Sequence, residues 1–111
     1  MEPEFLTRVE TTGGAIVIYV TGTIDIANCE SLRDAIEPHL GPNQTIVLDL
    51  SGVQLMASAG LAILVQARGQ LTGDGGSLVL RNPSEVARRV LTAAGTEYLL
   101  AHDVGDERAD T

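Results

Sequence analysis

Lysine and tryptophan are absent from this sequence of 111 residues, and aromatic residues make up only 3% of it. All seven basic residues are arginines, and fifteen acidic residues oppose them, which gives a formal net charge of −8. Nucleic-acid grooves and anionic membrane surfaces need a basic footprint, so the composition disfavours both partners. Without lysine, the chain also lacks a Schiff-base nucleophile and a P-loop lysine.

Cysteine and histidine are scarce as well, with Cys29, His39 and His102 as the full set. A single cysteine gives no disulfide framework, and these three residues show no spacing that recurs in metal sites. We therefore expect no metal and no cofactor. Cys29 lies on a predicted apolar helix face, where a buried and unreactive thiol is the favoured interpretation.

Long apolar runs are missing, since none approaches the roughly 20 residues that span a bilayer. The first residues, Met1-Glu2-Pro3-Glu4, are acidic where a signal peptide is basic, so we expect a cytoplasmic protein without membrane association. Hydrophobic residues reach 44%, enough for one core. We expect a single domain over 1–111, with a core of about 5–101 and a frayed acidic tail over 102–111.

Apolar runs alternate with helical stripes along the chain. Strands are predicted over 5–10, 15–20, 45–50 and 77–80, with a short last strand over 98–100. Helical stripes are formed by Cys29, Leu32, Ile36 and Leu40, by Leu61, Leu64, Val65 and Leu71, and by Val86, Val90 and Leu91. Gly22 is expected to end the second strand, and a loop is expected over 51–57. This order predicts an α/β fold: a mostly parallel, four- to five-stranded mixed sheet with an N-terminal hairpin and three to four helices.

The strand-to-helix junctions at 21–28, 51–58 and 81–84 are the places where α/β sheets bind ligands. None of them carries the glycine fingerprint of a phosphate site. Gly73-Asp74-Gly75-Gly76 stands between a helix and a strand, which is the reverse of the order that a phosphate cradle needs. We interpret it as a connecting turn.

Ser58 is the most informative polar residue, because it directly precedes the second helical stripe. Its hydroxyl could cap that helix, act as a nucleophile or accept a modification. The local sequence places no base near it and shows no G-x-S-x-G elbow, so the residues alone favour the cap. Asp25 or Asn28 can cap the first helix in the same way, and Asp25 could instead contact a partner.

Three stretches together resemble the STAS domain of bacterial anti-sigma factor antagonists. Thr21-Gly22-Thr23-Ile24-Asp25 is similar to the family's G-x-(L/I)-D at a strand end. The strand over 46–53, followed by Met56-Ala57-Ser58-Ala59-Gly60-Leu61, resembles the family's strand, loop and D-S-(S/T/A)-G-L helix start. The third stretch is the strand over 75–80, then Asn82-Pro83-Ser84, the helix over 86–91 and Gly95. The resemblance covers roughly residues 5–101.

This resemblance implies a regulatory switch without catalytic activity of its own. Its partner would be an anti-sigma factor with a histidine-kinase-like ATPase fold, which phosphorylates one serine at the start of the second helix, and a phosphatase would reverse the step. By position, the phosphorylated serine would be Ser58. The implied partner-binding residues are Asp25, Asn28, Met56, Ala57, Ser58, Ala59 and Gly60. We expect a monomer or weak dimer.

Two positions depart from the family pattern, because Ala57 stands where aspartate is usual and Ala59 where serine or threonine is frequent. The missing aspartate removes a carboxylate that could order the loop or help a kinase to recognise it. Two alternative functions stay open. The chain could be a STAS subunit that scaffolds a transporter or lipid-trafficking complex without phosphorylation, or a small α/β enzyme with Ser58 as nucleophile.

Overall fold

A four-stranded mixed sheet organises the chain, and the computed structural model describes residues 5–100. In chain order the elements are β1 (Leu6–Thr12), β2 (Ala15–Ile24), α1 (Cys29–Ile36), β3 (Thr45–Met56), α2 (Ser58–Gly73), β4 (Ser77–Arg81) and α3 (Glu85–Ala93), with 3-10 turns at Glu37–His39 and Glu97–Leu99. The strands lie side by side in the order β1-β2-β3-β4; β1 is antiparallel to β2, and the other two pairs are parallel. The predicted α/β fold with an N-terminal hairpin is confirmed. The predicted tail over 102–111 lies outside the described residues.

One face of this sheet forms the hydrophobic core with the helices. The parallel register aligns Ile18, Leu48 and Leu80 across three strands, and each of them is fully buried. Side chains from all three helices join the same cluster, among them Leu32, Ile36, Leu64, Leu71 and Leu91. Burial of one strand face against helices explains why the strands read as β-branched and leucine-rich runs. Because β2, β3 and β4 are parallel, their carboxyl ends lie at the same end of the sheet.

The prediction that β2 ends at Gly22 and that a loop begins at Ser51 is wrong. Gly22 has a φ of 95°, and the β2–β3 register shifts on either side of it with an extra residue on β3 each time, so the pairing continues past two bulges of β3. The two strands stay paired as far as Ile24 and Met56, which are both buried. A glycine that looked like a strand breaker therefore stays within the ladder, between two bulges of the neighbouring strand.

The predicted last strand over 98–100 is also wrong. Leu100 donates its backbone N–H to the carbonyl of Glu97 at 3.0 Å, which closes a 3-10 turn over Glu97–Leu99. Leu99 is fully buried while Tyr98 is 53% exposed. The chain curls to insert Leu99 into the core, and only Leu100 makes a single bridge, to Leu80 of β4.

Two helical stripes need correction as well. α1 ends at Ile36, short of Leu40, because Pro38 has no N–H to continue the helical ladder and the chain tightens into a 3-10 turn. In α2, Val65 is 37% exposed, and Ile63 and Ala67 take the inward positions. α2 is apolar on more than one side, so spacing alone did not identify its buried face.

Candidate functional site

The ends of β2 and β3 form a rim from which α2 begins. Ile24 pairs with Met56, and the backbone N–H of Ala57 donates to the carbonyl of Ile24 at 2.8 Å. Ser58 is the next residue and the first of α2. The sheet therefore fixes the position of the helix start through a backbone bond.

Ser58 is exposed, and the prediction that its hydroxyl caps α2 is wrong. Ala57 occupies the N-cap position with extended backbone angles, and no side chain caps the helix. Within residues 5–100 the Ser58 hydroxyl takes part in no hydrogen bond. Its exposure at the rim therefore has no structural use that the described residues reveal.

The first turn of α2 is free of negative charge. The N–H groups of Gly60 and Leu61 donate to the carbonyl of Ala57 at 3.0 and 3.4 Å, while those of Ser58 and Ala59 precede the helical ladder. The first turn holds no acidic residue. The positive end of the helix dipole and two backbone donors are thus available beside the serine.

Asp25 and Asn28 lock the loop that joins the rim to α1. The N–H of Asn28 donates to Oδ1 of Asp25 at 2.9 Å, and the N–H of Asp25 donates to Oδ1 of Asn28 at 2.8 Å. The Asn28 amide also donates to the carbonyl of Thr23 at 2.8 Å. Neither side chain caps α1, so the prediction that Asp25 or Asn28 caps this helix is wrong. Both side chains bond instead within the loop that joins Ile24 to the helix.

The seven predicted partner-binding residues lie together at this rim but differ in exposure. Ser58 is exposed; Asp25, Asn28, Ala57 and Ala59 are half-buried; Met56 and Gly60 are buried. A Cβ on Gly60 would lie 2.6 Å from Cγ2 of Ile24, so the first turn of α2 packs directly on the end of β2. Met56 and Gly60 can therefore shape the rim only from beneath.

Two exposed aliphatic side chains at the rim escaped the sequence analysis. Ile26 is 78% exposed in the loop after Asp25, and Leu55 is 52% exposed beside the buried Met56. A groove of about 430 Å³ continues from Ser58 along α2; it is lined by Leu61, Ala62, Val65, Gln66, Ala94 and Thr96. A register shift separates Leu55 from Val53, which is buried, so strand alternation does not predict that Leu55 faces outward. Ile26 lies outside every periodic pattern, so no sequence signal marks it.

A buried carboxylate ties β3 to the end of β4 and to the residue that follows it. Asp49, only 5% exposed, accepts four hydrogen bonds: 3.0 Å from the N–H and 2.7 Å from the hydroxyl of Ser51, 3.1 Å from Nε of Arg81 and 3.0 Å from the amide of Asn82. Burial pushes the pKa of Asp49 upward, but these hydrogen bonds outweigh it and hold the pKa below its ordinary value. The carboxylate is fully paired, and its position suits a structural tie.

Other kinds of site have little support in residues 5–100. No three histidine, cysteine or acidic side chains in that range gather closely enough to hold a metal ion. Cys29 is 8% exposed, with its sulfur 3.5 Å from the carbonyl of Ile26. Among the described helices, none is long and apolar enough to cross a membrane.

Comparison with known proteins places these observations. A family model described as "Mlab, STAS domain" matches residues 7–101. The structure of an anti-sigma factor antagonist from Mycobacterium paratuberculosis is 31% identical over 87% of this chain and 83% of that one, with a TM-score of 0.70. The anti-sigma factor antagonist SpoIIAA in its unphosphorylated form is 20% identical over 96% and 89%, with a TM-score of 0.71. The Bacillus SpoIIAA in its phosphorylated form is 21% identical over 96% and 92%, with a TM-score of 0.64. No curated protein sequence matches the chain.

Proposed function

The chain belongs to the STAS domain family, and we propose that it acts as an anti-sigma factor antagonist in the cytoplasm. In this proposal its partner is an anti-sigma factor with a histidine-kinase-like ATPase fold. The partner phosphorylates Ser58, and its affinity for the protein then falls. A phosphatase removes the phosphate. The chain itself catalyses nothing. The observation that carries the proposal is the exposed Ser58 hydroxyl, free of hydrogen bonds within residues 5–100, on a rim that the sheet holds in place.

The electrostatics of the α2 start support a phosphate at Ser58. A phosphoserine adds about −1.5 to −2 charge at neutral pH. The helix N-terminus stabilises such charge through its dipole and its free N–H groups, and no acidic side chain in the first turn opposes it. The modified protein should therefore stay folded, and the effect of the phosphate falls on the partner.

The exposed aliphatic side chains at the rim explain how the partner would sense the phosphate. Ile26 and Leu55 provide apolar contact area on the rim that leads to Ser58, and the groove along α2 continues it on the helix side. A dianion placed against these aliphatic side chains would lose its water in the apolar part of the interface, away from the acidic surface that the partner's cations would pair with. Coupling of this kind typically amounts to about 1–3 kcal/mol, or roughly a 5- to 150-fold change in affinity.

The overall charge favours a basic partner. With a net charge of −8, the protein should attract a partner surface rich in arginine or lysine, since opposite potentials speed encounter. Raising the salt concentration should slow association. An association rate that is indifferent to salt would count against this partner chemistry.

The decisive experiment incubates the protein with its anti-sigma factor and ATP, then maps the phosphate by mass spectrometry. Labelling is expected at Ser58 alone. Ser58→Ala should bind and resist inactivation, and Ser58→Asp should fold but bind weakly. Ser77→Asp is the matched control, because it adds the same charge at an exposed position. Ser77 is at the start of β4, so it lies at the end of the parallel strands opposite to the Ser58 rim. Complete labelling elsewhere, or Ser58→Asp binding as tightly as the parent protein, would contradict the proposal.

The second candidate is a STAS subunit that scaffolds a transporter or lipid-trafficking complex without phosphorylation. Ala57 and Ala59 favour it, since neither adds a polar group that a kinase could recognise beside Ser58. Stable co-purification with a transporter-type ATPase, with Ser58 never labelled, would support this function over the first.

The serine-nucleophile alternative has the weakest support. His39 lies beyond the carboxyl end of α1, whereas Ser58 lies beside the loop that precedes this helix. The eight residues of α1 span about 12 Å at 1.5 Å per residue. No histidine in the described part of the chain is therefore positioned as a base for Ser58.

A further inference from the structure

The outer edge of β1 is long, regular and exposed. All seven residues of Leu6–Thr12 are exposed, and Leu6 and Val9 are 58% and 44% exposed. The strand contains no proline, and its pairing with β2 runs from Leu6 to Thr12 without a bulge. Natural proteins interrupt or charge such edges because an uninterrupted one is a template for another strand. At the opposite edge, β4 has only five residues and is bridged by Leu100.

We propose that β1 pairs with β1 of a second copy of this chain. The two strands run antiparallel about a two-fold axis that passes between the two Val9 residues. The two four-stranded sheets then join into one continuous sheet of eight strands. This is a closed, self-complementary contact of the kind that homodimers use.

The pattern of charges on β1 selects the register. Side chains that oppose each other directly in an antiparallel pair lie on the same face of the sheet. Because faces alternate along a strand, a residue can oppose only residues an even number of positions away in the identical strand, and the two-fold axis must then pass between two copies of one residue. An axis at Val9, the centre of Leu6–Thr12, pairs all seven residues and sets Arg8 opposite Glu10 of the other copy, twice. Moving the axis to Arg8 opposes two arginines, and moving it to Glu10 opposes two glutamates. Opposite charges stabilise a cross-strand pair and like charges destabilise it, so the Val9 register is favoured.

The single chain already holds these charged side chains in place. Arg8 pairs with Glu10 of its own strand, and its guanidinium lies 4.1 Å from the ring centroid of Tyr19 on β2. Glu10 also accepts from the Tyr19 hydroxyl at 3.3 Å. Both charged side chains stay largely exposed, at 61% and 45%. In the dimer, two such pairs would combine into one alternating network above the strand junction.

Charge also explains why a second copy fits this edge. The chain carries −8 overall, but β1 has one arginine and one glutamate and is neutral, so two copies can approach there without local repulsion. One strand pair buries little area compared with a stable dimer interface, so the dimer should form only at high concentration. β1 pairs no further than Thr21, and the Ser58 rim lies beyond it at Ile24 and Met56. The contact is independent of the function proposed for Ser58.

A charge-swap mixture tests the proposed pairing by sedimentation velocity. Arg8→Glu alone opposes only glutamates, and Glu10→Arg alone opposes only arginines, so each variant should stay monomeric where the parent protein dimerises. Mixed in equal amounts, they should form a heterodimer, although each still lacks the pair within its own strand. The control mixture is Glu85→Arg with Arg89→Glu, which swaps an exposed pair on α3 and should leave the parental dimerisation unchanged.

Disulfide trapping tests the register. In Val9→Cys the two cysteines should lie about 4.5–5.5 Å apart between Cα atoms, within the range that a disulfide bridges. In Thr7→Cys they should lie on the order of 14 Å apart, four residues of strand rise, and should not cross-link. Cys29 is buried, so the parent protein should remain uncross-linked.

Three results would overturn the proposal. The first is a parent protein that stays monomeric at millimolar concentration. The second is a charge-swap mixture that stays monomeric, or single variants that dimerise as well as the parent protein does, which would place the contact on another surface. The third is cross-linking of Thr7→Cys as fast as that of Val9→Cys. A heterodimer in the mixture and selective cross-linking of Val9→Cys support it.

Discussion

Replacing Gly60 by alanine should destabilise the protein, although the same change usually stabilises a helix. The added Cβ would lie 2.6 Å from Cγ2 of Ile24, a branch that is fixed to the backbone through Cβ and is fully buried. Overpacking of this kind costs about 1–3 kcal/mol. The gain from replacing glycine in a helix offsets up to about 1 kcal/mol of that. A net loss of about 1 kcal/mol, and of no more than about 2 kcal/mol if the full propensity gain is realised, is expected.

Gly69→Ala is the matched control in the same helix. A Cβ on Gly69 meets nothing within 4 Å, so this variant should gain about 0.5–1 kcal/mol from backbone propensity alone. The assay is urea unfolding followed by circular dichroism. A difference of about 2 kcal/mol between the two variants separates their midpoints by roughly 1 M when the slope is about 2 kcal/mol per molar.

A double variant tests whether the loss comes from Ile24. Ile24→Leu removes the branch at Cβ while it nearly conserves volume, so it should relieve part of the penalty and make the double variant more stable than the sum of the single changes. Gly60→Ala with the same stability as Gly69→Ala would refute the argument that close packing on β2 fixes the start of α2. Additive effects of the two changes would place the cost elsewhere.

Three further outcomes follow from the described contacts. Ser84→Ala should cost about 1 kcal/mol in a urea melt because the Ser84 hydroxyl accepts from the α3 backbone, whereas Ser58→Ala, which removes no bond within residues 5–100, should leave stability unchanged. The pKa of Asp49 is lower in the folded protein than its ordinary value of 3.8, so the ionised carboxylate stabilises the fold at a pH above 3.8. This stabilisation should be lost as the pH falls through the folded pKa, and melts between about pH 5 and pH 2 should show a smaller loss of stability for Asp49→Asn than for the parent protein. Asp25→Ala should cost about 1 kcal/mol, because the N–H of Asn28 loses its 2.9 Å bond to the carboxylate and keeps only the 3.3 Å bond to the Asp25 carbonyl, and Asp25→Ser should recover part of it; an unchanged melt with weaker partner binding would instead assign Asp25 to the interface.

The strands were predictable where burial alone determines the residues. The runs over 15–20, 45–50 and 77–80 are apolar because these three strands bury a face against the helices, and each of them is a strand in the structure. Gly13-Gly14 marked the hairpin through their positive φ angles. The apolar runs and the glycine pair each consist of residues that are adjacent in the chain, so the sequence alone is enough to detect them.

The rim depended on contacts that no local pattern records. Gly22 is a residue type typical of a strand end, and only the bulged register of β3 beside it keeps it inside the strand. The sequence analysis favoured Ser58 as the cap of α2, whereas Ala57, one residue earlier, occupies the N-cap position. The bond from the N–H of Ala57 to the carbonyl of Ile24 fixes where the helix begins. The Asp49 cluster left a fainter trace. One acidic residue stands inside an apolar run and Arg81 ends the next strand; this is the signal from which the pair could have been predicted, and the sequence analysis did not use it.

The register shifts around Gly22 mark the place where the sheet narrows from four strands to two. β1 pairs with β2 only to Thr21, and β4 pairs with β3 only to Asp49, so the last residues of the two central strands project beyond both neighbours as a two-stranded ribbon. Ile24 and Met56 at the tip of this ribbon are nevertheless buried, so packing against the helices takes the place of the missing strand neighbours. The start of α2 therefore lies beyond the four-stranded body, on a two-stranded extension to which the bond from Ala57 to Ile24 and the close approach of Gly60 to Ile24 attach it.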